Sequence, residues 1–125
     1  MSDDPVTLYR PTGATELALV RASGFKRWPP RLPSQPIFYP VTNRAYAIQI
    51  ARDWNLPERG YGCVTRFHVA KPFMDRYPLQ KVGGREHLEW WIPAADLEAL
   101  NDHIAGLIEV LDEFSAAADP RSAPA

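Results

Sequence analysis

Apolar and polar positions alternate over residues 61–70, the longest such run in the chain, and this period of two predicts a β-strand. Shorter β-branched and aromatic runs predict further strands at residues 6–10, 37–39, 79–82, 86–92 and 107–114. We expect Pro11 and Pro93 to end two of these strands, because proline has no backbone donor. Helical spacing and capping residues predict three helices, which begin at Thr12, at Thr42 or Asn43, and at Asp96.

The order of these elements predicts an α+β fold. Strand, helix, strand and helix are followed mostly by strands with one late helix, and these later strands lack the crossovers that a parallel sheet needs. A chain of 125 residues has room for one compact domain, and two packed domains are effectively excluded. We expect the domain to span residues 1–114 and the small, polar residues 115–125 to form a disordered tail.

Proline is the unusual feature of the composition, since 13 prolines are about twice the usual share and argue against an all-helical bundle. Four of them lie in Phe25–Pro36, which we expect to be an irregular loop folded over the core with Trp28 as its packing anchor. The alternative is that the basic residues of this loop, Lys26, Arg27 and Arg31, contact an acceptor protein or nucleic acid.

Charge and cysteine content narrow the functional classes. The net charge of -1 gives no surplus for nonspecific binding to nucleic acid or anionic lipid. No apolar stretch approaches the roughly 18 residues of a membrane span, and the amino terminus is acidic where a signal peptide is basic. The single cysteine, Cys63, can form neither an internal disulfide nor a cysteine-based zinc site, and we expect it to fill core space. These features predict a cytoplasmic protein.

The common phosphate-binding motifs GxGxxG and GxxxxGK[ST] are missing, and the histidines have no metal-site spacing. The segment Gly83–Pro93 is more informative. A strand there places His87 and Glu89 side by side on one face, and a carboxylate among aromatic rings can stabilise a developing cation. The alternative is a surface glutamate paired with Arg85 or Arg66.

Arg10, at the end of the first predicted strand, is a second candidate. Its guanidinium offers paired donors that suit a pyrophosphate, and the alternative is an exposed strand arginine. Tyr39, at the end of the second strand, offers a stacking face, which core packing explains equally well.

Taken in order, these motifs resemble the small ADP-ribosyltransferase fold. In that superfamily an Arg or His ends the first strand, an aromatic residue with a Ser or Thr marks the second, and a catalytic Glu precedes a hydrophobic strand that ends in proline. The chain is also similar, over about Val6–Phe114, to a group of uncharacterised bacterial proteins labelled ADP-ribosylation/crystallin. The matching residues are Leu8-Tyr9-Arg10, Phe38-Tyr39 with Thr42, and Glu89-Trp90-Trp91-Ile92-Pro93.

This resemblance implies a split antiparallel or mixed sheet with about three helices, and an NAD-dependent mono-ADP-ribosyltransferase. It implies that Arg10 holds the phosphates and adenosine side of NAD, and that Tyr39 and Thr42 shape the nicotinamide pocket. It also implies that Glu89 binds the nicotinamide ribose and stabilises an oxocarbenium-like state as nicotinamide leaves. His87 stands where many arginine-modifying members carry a second acid or amide, and it can serve as base for the acceptor.

Several alternatives stay open at this point. The acceptor is an unknown protein or nucleic acid, and with water as acceptor the same site is an NAD glycohydrolase. The other hypotheses are a non-catalytic module that binds ADP-ribose or a partner, and a purely structural interaction domain. Pro40 and Val41 depart from the family's Ser-Thr-Ser pattern. The enzymatic account requires Arg10, Tyr39 and Glu89 to line one cleft.

Overall fold

A computed structural model describes residues 4–55, 60–82 and 87–115 and shows an α+β fold with small antiparallel sheets. Among these residues there are seven strands and four α-helices. A π-helical turn, Ala51–Asn55, extends the second helix, and a 3-10 turn, Ala94–Asp96, precedes the last. The strands are β1 (Val6–Thr12), β2 (Ile37–Phe38), β3 (Tyr61–Val69), β4 (Leu79–Lys81), β5 (Leu88–Trp90), β6 (Ile92–Pro93) and β7 (Glu109–Ser115), and the helices are α1 (Ala14–Ala22), α2 (Arg44–Ile50), α3 (Lys71–Met74) and α4 (Leu97–Asp102).

The longest strand, β3, lies between β1 and β7 in a three-stranded antiparallel sheet. Two short pairs, β2 with β6 and β4 with β5, are also antiparallel. Val41 joins the three-stranded sheet to the β4–β5 pair, because it pairs with Tyr9 of β1 on one side and with Glu89 of β5 on the other. A row of paired residues therefore runs from β3 through β1 and Val41 to β5.

Two hydrophobic clusters cover the two faces of this sheet. The small core packs α2 and its extension against one face, and consists of Val41, Ala47, Ala51 and Val64. The main core, on the other face, holds the largest fully buried side chains, including Leu8, Trp28, Phe38, Phe67, Ile92 and Leu100, together with Trp90. Because successive strand residues project to opposite faces, β1 and β3 contribute residues to both clusters.

Asn101 attaches the proline-rich loop to the main core. Its buried side chain accepts from the Trp28 backbone N–H at 2.8 Å and donates to the Trp28 carbonyl at 2.9 Å. The Trp28 ring is 2% exposed and packs against Phe38 and Phe67. The expectation that Phe25–Pro36 is an irregular loop folded over the core, with Trp28 as anchor, is confirmed.

Other sequence expectations need correction. Strand β1 continues through Pro11 to Thr12. The Tyr9 N–H donates to Val41, on the side away from β3, and the Pro11 nitrogen two residues later points to the same side. Pro11 therefore removes no hydrogen bond to β3. Helix α1 begins after Gly13 instead of at Thr12.

Two further differences concern helices. The sequence predicts no helix between β3 and β4, but a single helical turn, α3, lies there with Pro72 near its start, so the described residues hold four helices instead of about three. Of the two caps proposed for α2, the residue that caps is Asn43, whose side chain accepts from the Tyr46 N–H at 2.7 Å.

The ends of the chain are described in part. Ser115, the first residue of the expected tail, is the last residue of β7, and residues 116–125 lie outside the described residues. Glu86, the first residue of the strand predicted at residues 86–92, also lies outside them. Within the described ranges, no helix combines the length and apolar character needed to cross a membrane.

Candidate functional site

Glu89 lies at the centre of β5, where three segments that are distant in sequence become neighbours. Val41 pairs with Tyr9 and with Glu89, and Tyr9 in turn pairs with Arg66 of β3. Directly paired residues of antiparallel strands project their side chains to the same face. Tyr9, Val41 and Glu89 therefore share the face that carries the small core and α2.

Two aromatic donors hold the Glu89 carboxylate. The Tyr46 hydroxyl donates to Oε2 at 3.2 Å, and the Trp91 indole Nε1 donates to Oε1 at 2.7 Å. Burial and the neighbouring charge of Glu89 raise the pKa of Tyr46, so its hydroxyl keeps its proton and stays a donor. Each carboxylate oxygen thus has one donor, and the charged form of Glu89 is held in one orientation.

His87 completes this group through ring stacking. Its imidazole lies 4.4 Å from the Tyr46 ring, with 13° between the planes. Its carbonyl accepts from the Val82 N–H at 3.0 Å, which holds the start of β5. We call Glu89, Tyr46, His87 and Trp91 the carboxylate cluster. The predicted juxtaposition of His87 and Glu89 is found, with Tyr46 in contact with both.

Arg10 belongs to the opposite face. It follows Tyr9 on β1, and its guanidinium carbon lies 4.3 Å from the Phe38 ring centroid and 5.6 Å from that of Trp28, both in the main core. Its Nε and Nη2 donate to the two carboxylate oxygens of Glu16 at 2.6 and 2.9 Å. Arg10 is only 8% exposed, so its paired donors serve an internal ion pair.

The cleft that the sequence predicted, with Arg10 and Glu89 together, is therefore not formed. Glu89 bonds to Tyr46 on the small-core face, whereas Arg10 stacks on Phe38 on the main-core face. The alternative of an exposed strand arginine at position 10 is also wrong, because Glu16 and the aromatic rings bury it.

Tyr39 and Thr42 flank the Val41 bridge. Tyr39 is 43% exposed, so core packing does not account for it. Burial and the charge of Arg10 lower the pKa of Arg31, while the charge of Glu16 acts in the opposite direction. Thr42 joins β5 through its backbone N–H, which donates to the Leu88 carbonyl at 3.1 Å. Among the described contacts, Thr42 is therefore linked to β5, the strand of Glu89, through its backbone N–H and not through its hydroxyl.

Two arginines lie on the face of Glu89, and each is paired with a carboxylate of β7. Arg66 makes two 3.1 Å hydrogen bonds to Glu109, and Arg44, at the start of α2, makes two 2.9 Å bonds to Asp112. The alternative in which Arg66 pairs with Glu89 is therefore wrong, and Arg85 lies outside the described residues. Both guanidinium groups are partly exposed.

Sequence reasoning missed the partners of both candidate residues. Tyr46 lies next to the buried Ala47 on α2, and Trp91 lies two residues after Glu89, but no motif predicts that both donate to its carboxylate. Glu16, in the first turn of α1, binds Arg10 and Arg31 through its carboxylate. The weak sequence signals are the paired aromatic residues after Glu89 and an acidic residue six positions after Arg10.

No group of three or more His, Cys, Asp and Glu side chains is placed to hold a metal ion in the part of the chain that the structure describes. Comparison with known families finds no family model that matches this sequence, and comparison with curated proteins finds no match.

Proposed function

We propose that this protein cleaves the bond between nicotinamide and ribose in NAD and transfers ADP-ribose to an acceptor, with Glu89 as the catalytic carboxylate. The observation that supports this most is a carboxylate fixed by Tyr46 and Trp91, among aromatic rings, at the junction of the three motif-bearing segments. Glu89 keeps the role that the resemblance to ADP-ribosyltransferases implies, whereas Arg10 is excluded from the site because it lies on the other face of the sheet.

The chemistry asks for a fixed negative charge beside the ribose. As the bond from ribose C1′ to the nicotinamide nitrogen breaks, nicotinamide leaves with the bonding electron pair and positive charge develops on the ribosyl ring. A carboxylate held in place stabilises that charge without reorganising as it forms. The hydroxyl of Tyr46 and the indole of Trp91 serve this role by fixing both oxygens of Glu89.

Attack by the acceptor completes the reaction. The acceptor forms a new bond to C1′ and releases a proton, and His87, the imidazole of the carboxylate cluster, is the side chain that receives it. If water attacks, the product is free ADP-ribose, and if a macromolecule attacks, ADP-ribose becomes attached to it.

In this proposal Arg66, instead of Arg10, binds the pyrophosphate of NAD. It lies in the same row as Glu89, three strand spacings away through Tyr9 and Val41, which is about 14 Å. Its ion pair with Glu109 is partly exposed, and exposed pairs contribute little to stability, so its guanidinium is available to a pyrophosphate.

The test is release of nicotinamide from NAD labelled in the nicotinamide ring. Glu89→Gln keeps the shape but loses the charge, and we expect it to reduce turnover by about 100-fold or more. The matched control is Glu113→Gln, because Glu113 also accepts from a tyrosine, Tyr61, at 2.8 Å on a different part of the sheet. Control turnover should equal that of the wild type.

Label on the adenosine side separates the acceptors, since it ends either in free ADP-ribose or in a macromolecule. Absence of nicotinamide release from the wild-type protein, or equal release by Glu89→Gln, would refute the proposal. Binding of ADP-ribose without release would instead support a non-catalytic module.

A further inference from the structure

The proline-rich loop and the start of α1 enclose a groove on the main-core face, on the other side of the sheet from Glu89. Its volume is about 450 Å³, which lies within the roughly 300–1,000 Å³ of small-ligand sites. Arg10, Glu16 and Arg31 form its charged wall. We call it the arginine groove, and its remaining lining includes Thr15, Leu19, Pro29, Pro30, Leu32 and Gln35.

The charged wall carries one positive charge in excess. Glu16 binds Arg10 through two hydrogen bonds and Arg31 through one, so a single carboxylate serves two guanidinium groups. The side chains of Arg10, Glu16 and Arg31 are 10%, 20% and 9% exposed. A buried arginine keeps its proton, so the excess charge persists in the folded protein.

Arg31 has an unused donor at this wall. Its Nη1 donates to Glu16 at 3.3 Å, while its Nε is buried with no hydrogen-bond partner in the described part of the chain. Nε belongs to the guanidinium edge that binds carboxylates and phosphates with two parallel bonds, the edge that Arg10 uses on Glu16. Buried donors without partners are rare, and a site for a bound water or ion is one established reason for them.

We infer that the arginine groove binds a small organic anion, whose carboxylate or phosphate pairs with the Nε edge of Arg31 and neutralises the excess charge. The apolar part of such a ligand packs on Pro29, Pro30 and Leu32. Leu32 is 62% exposed without a ligand, so covering it removes apolar surface from water. This site does not depend on the proposed NAD chemistry, because it lies on the other face of the sheet.

Titration calorimetry with three probes of similar size tests the inference. Benzoate and phenyl phosphate carry the two anionic groups, and benzyl alcohol, which does not resemble nicotinamide, is the neutral control. We expect at least one of the anions to bind and to raise the melting temperature, and benzyl alcohol to do neither. The tighter anion identifies the ligand class. Binding of neither anion, or equal binding of benzyl alcohol, would overturn the inference.

Variants then locate the site. Arg31→Lys keeps the charge but removes the paired edge, and we expect it to weaken binding about 10- to 100-fold. Leu32→Glu adds a negative charge at the exposed rim without altering the core, and it should also weaken binding. The control is Arg27→Lys in the same loop, where the arginine pairs with Glu98 and Asp102 outside the groove. Unchanged affinity in Arg31→Lys and Leu32→Glu would contradict the assignment.

Discussion

Arg10 and Glu89 project from opposite faces of one antiparallel sheet. The row Tyr9–Val41–Glu89 fixes the face of the glutamate, and Arg10, the next residue after Tyr9, turns its guanidinium onto Phe38. Glu89 is bonded to a tyrosine and a tryptophan, whereas Arg10 is bonded to Glu16. The two residues therefore act separately, one as a candidate for chemistry and the other within a buried ion cluster.

Replacing Arg10 should destabilise the protein. Arg10→Met leaves Glu16 largely buried with only the longer bond to Arg31, and loss of one partner of a buried pair costs about 2–4 kcal/mol. Denaturant unfolding measures this free energy. The matched control is Arg44→Met, which removes an exposed two-bond pair and should change stability far less. Equal losses in the two variants would contradict the structural role of Arg10.

Glu16 should make stability depend on pH in the acid range. Burial alone would raise its pKa, but the charge and hydrogen bonds of Arg10, with the charge of Arg31, outweigh burial and leave the pKa below the ordinary 4.5. A group whose pKa is lowered by folding contributes stability above its unfolded pKa and loses it as pH falls through the folded value. The difference in unfolding free energy between wild type and Glu16→Gln should therefore be largest above pH 4.5 and shrink below it. A difference that does not change with pH would disagree with this pairing.

The hydroxyl of Tyr46 should affect turnover more than binding of NAD. Tyr46→Phe keeps the ring that stacks on His87 but removes one donor to Glu89, so kcat should fall about 5- to 20-fold with little change in KM. Tyr61→Phe, which removes the donor to Glu113, is the matched control and should leave kcat unchanged. A change in KM alone would mean that Tyr46 serves binding and does not position the carboxylate.

Cys63 should be unreactive in the folded protein. It is fully buried, and burial raises the pKa of its thiol to about 11, so little thiolate is present near neutrality. A thiol reagent such as dithionitrobenzoate should react slowly with the native protein and rapidly in guanidinium chloride. Fast reaction under native conditions would show that this part of β3 opens readily.

The strands could be predicted because their signal is local. The alternation over residues 61–70 predicts β3, which spans Tyr61–Val69, and the absence of crossovers predicts the α+β class. Proline was less reliable as a stop signal, because Pro11 occupies a position of β1 whose nitrogen faces away from β3.

Only the part of the candidate site that lies within one short segment could be predicted from the sequence. Alternation places His87 and Glu89 together because both lie in one short stretch. Whether Arg10 shares their face depends on how β1 pairs with Val41 and β5, and a shift of one residue would reverse the result. The sequence contains no local signal for that register, and the partners Glu16 and Arg31 come together only through tertiary packing.

The face that binds NAD can be identified from the indole N–H signals of the ¹⁵N-labelled protein during a titration with NAD. Trp91 donates to Glu89 on one face, and Trp28 packs beside Arg10 on the other. If NAD binds at the carboxylate cluster, the Trp91 signal shifts with NAD concentration and the Trp28 signal stays in place. A shift of Trp28 without a shift of Trp91, or no shift of either, would contradict the assignment of NAD chemistry to the face of Glu89.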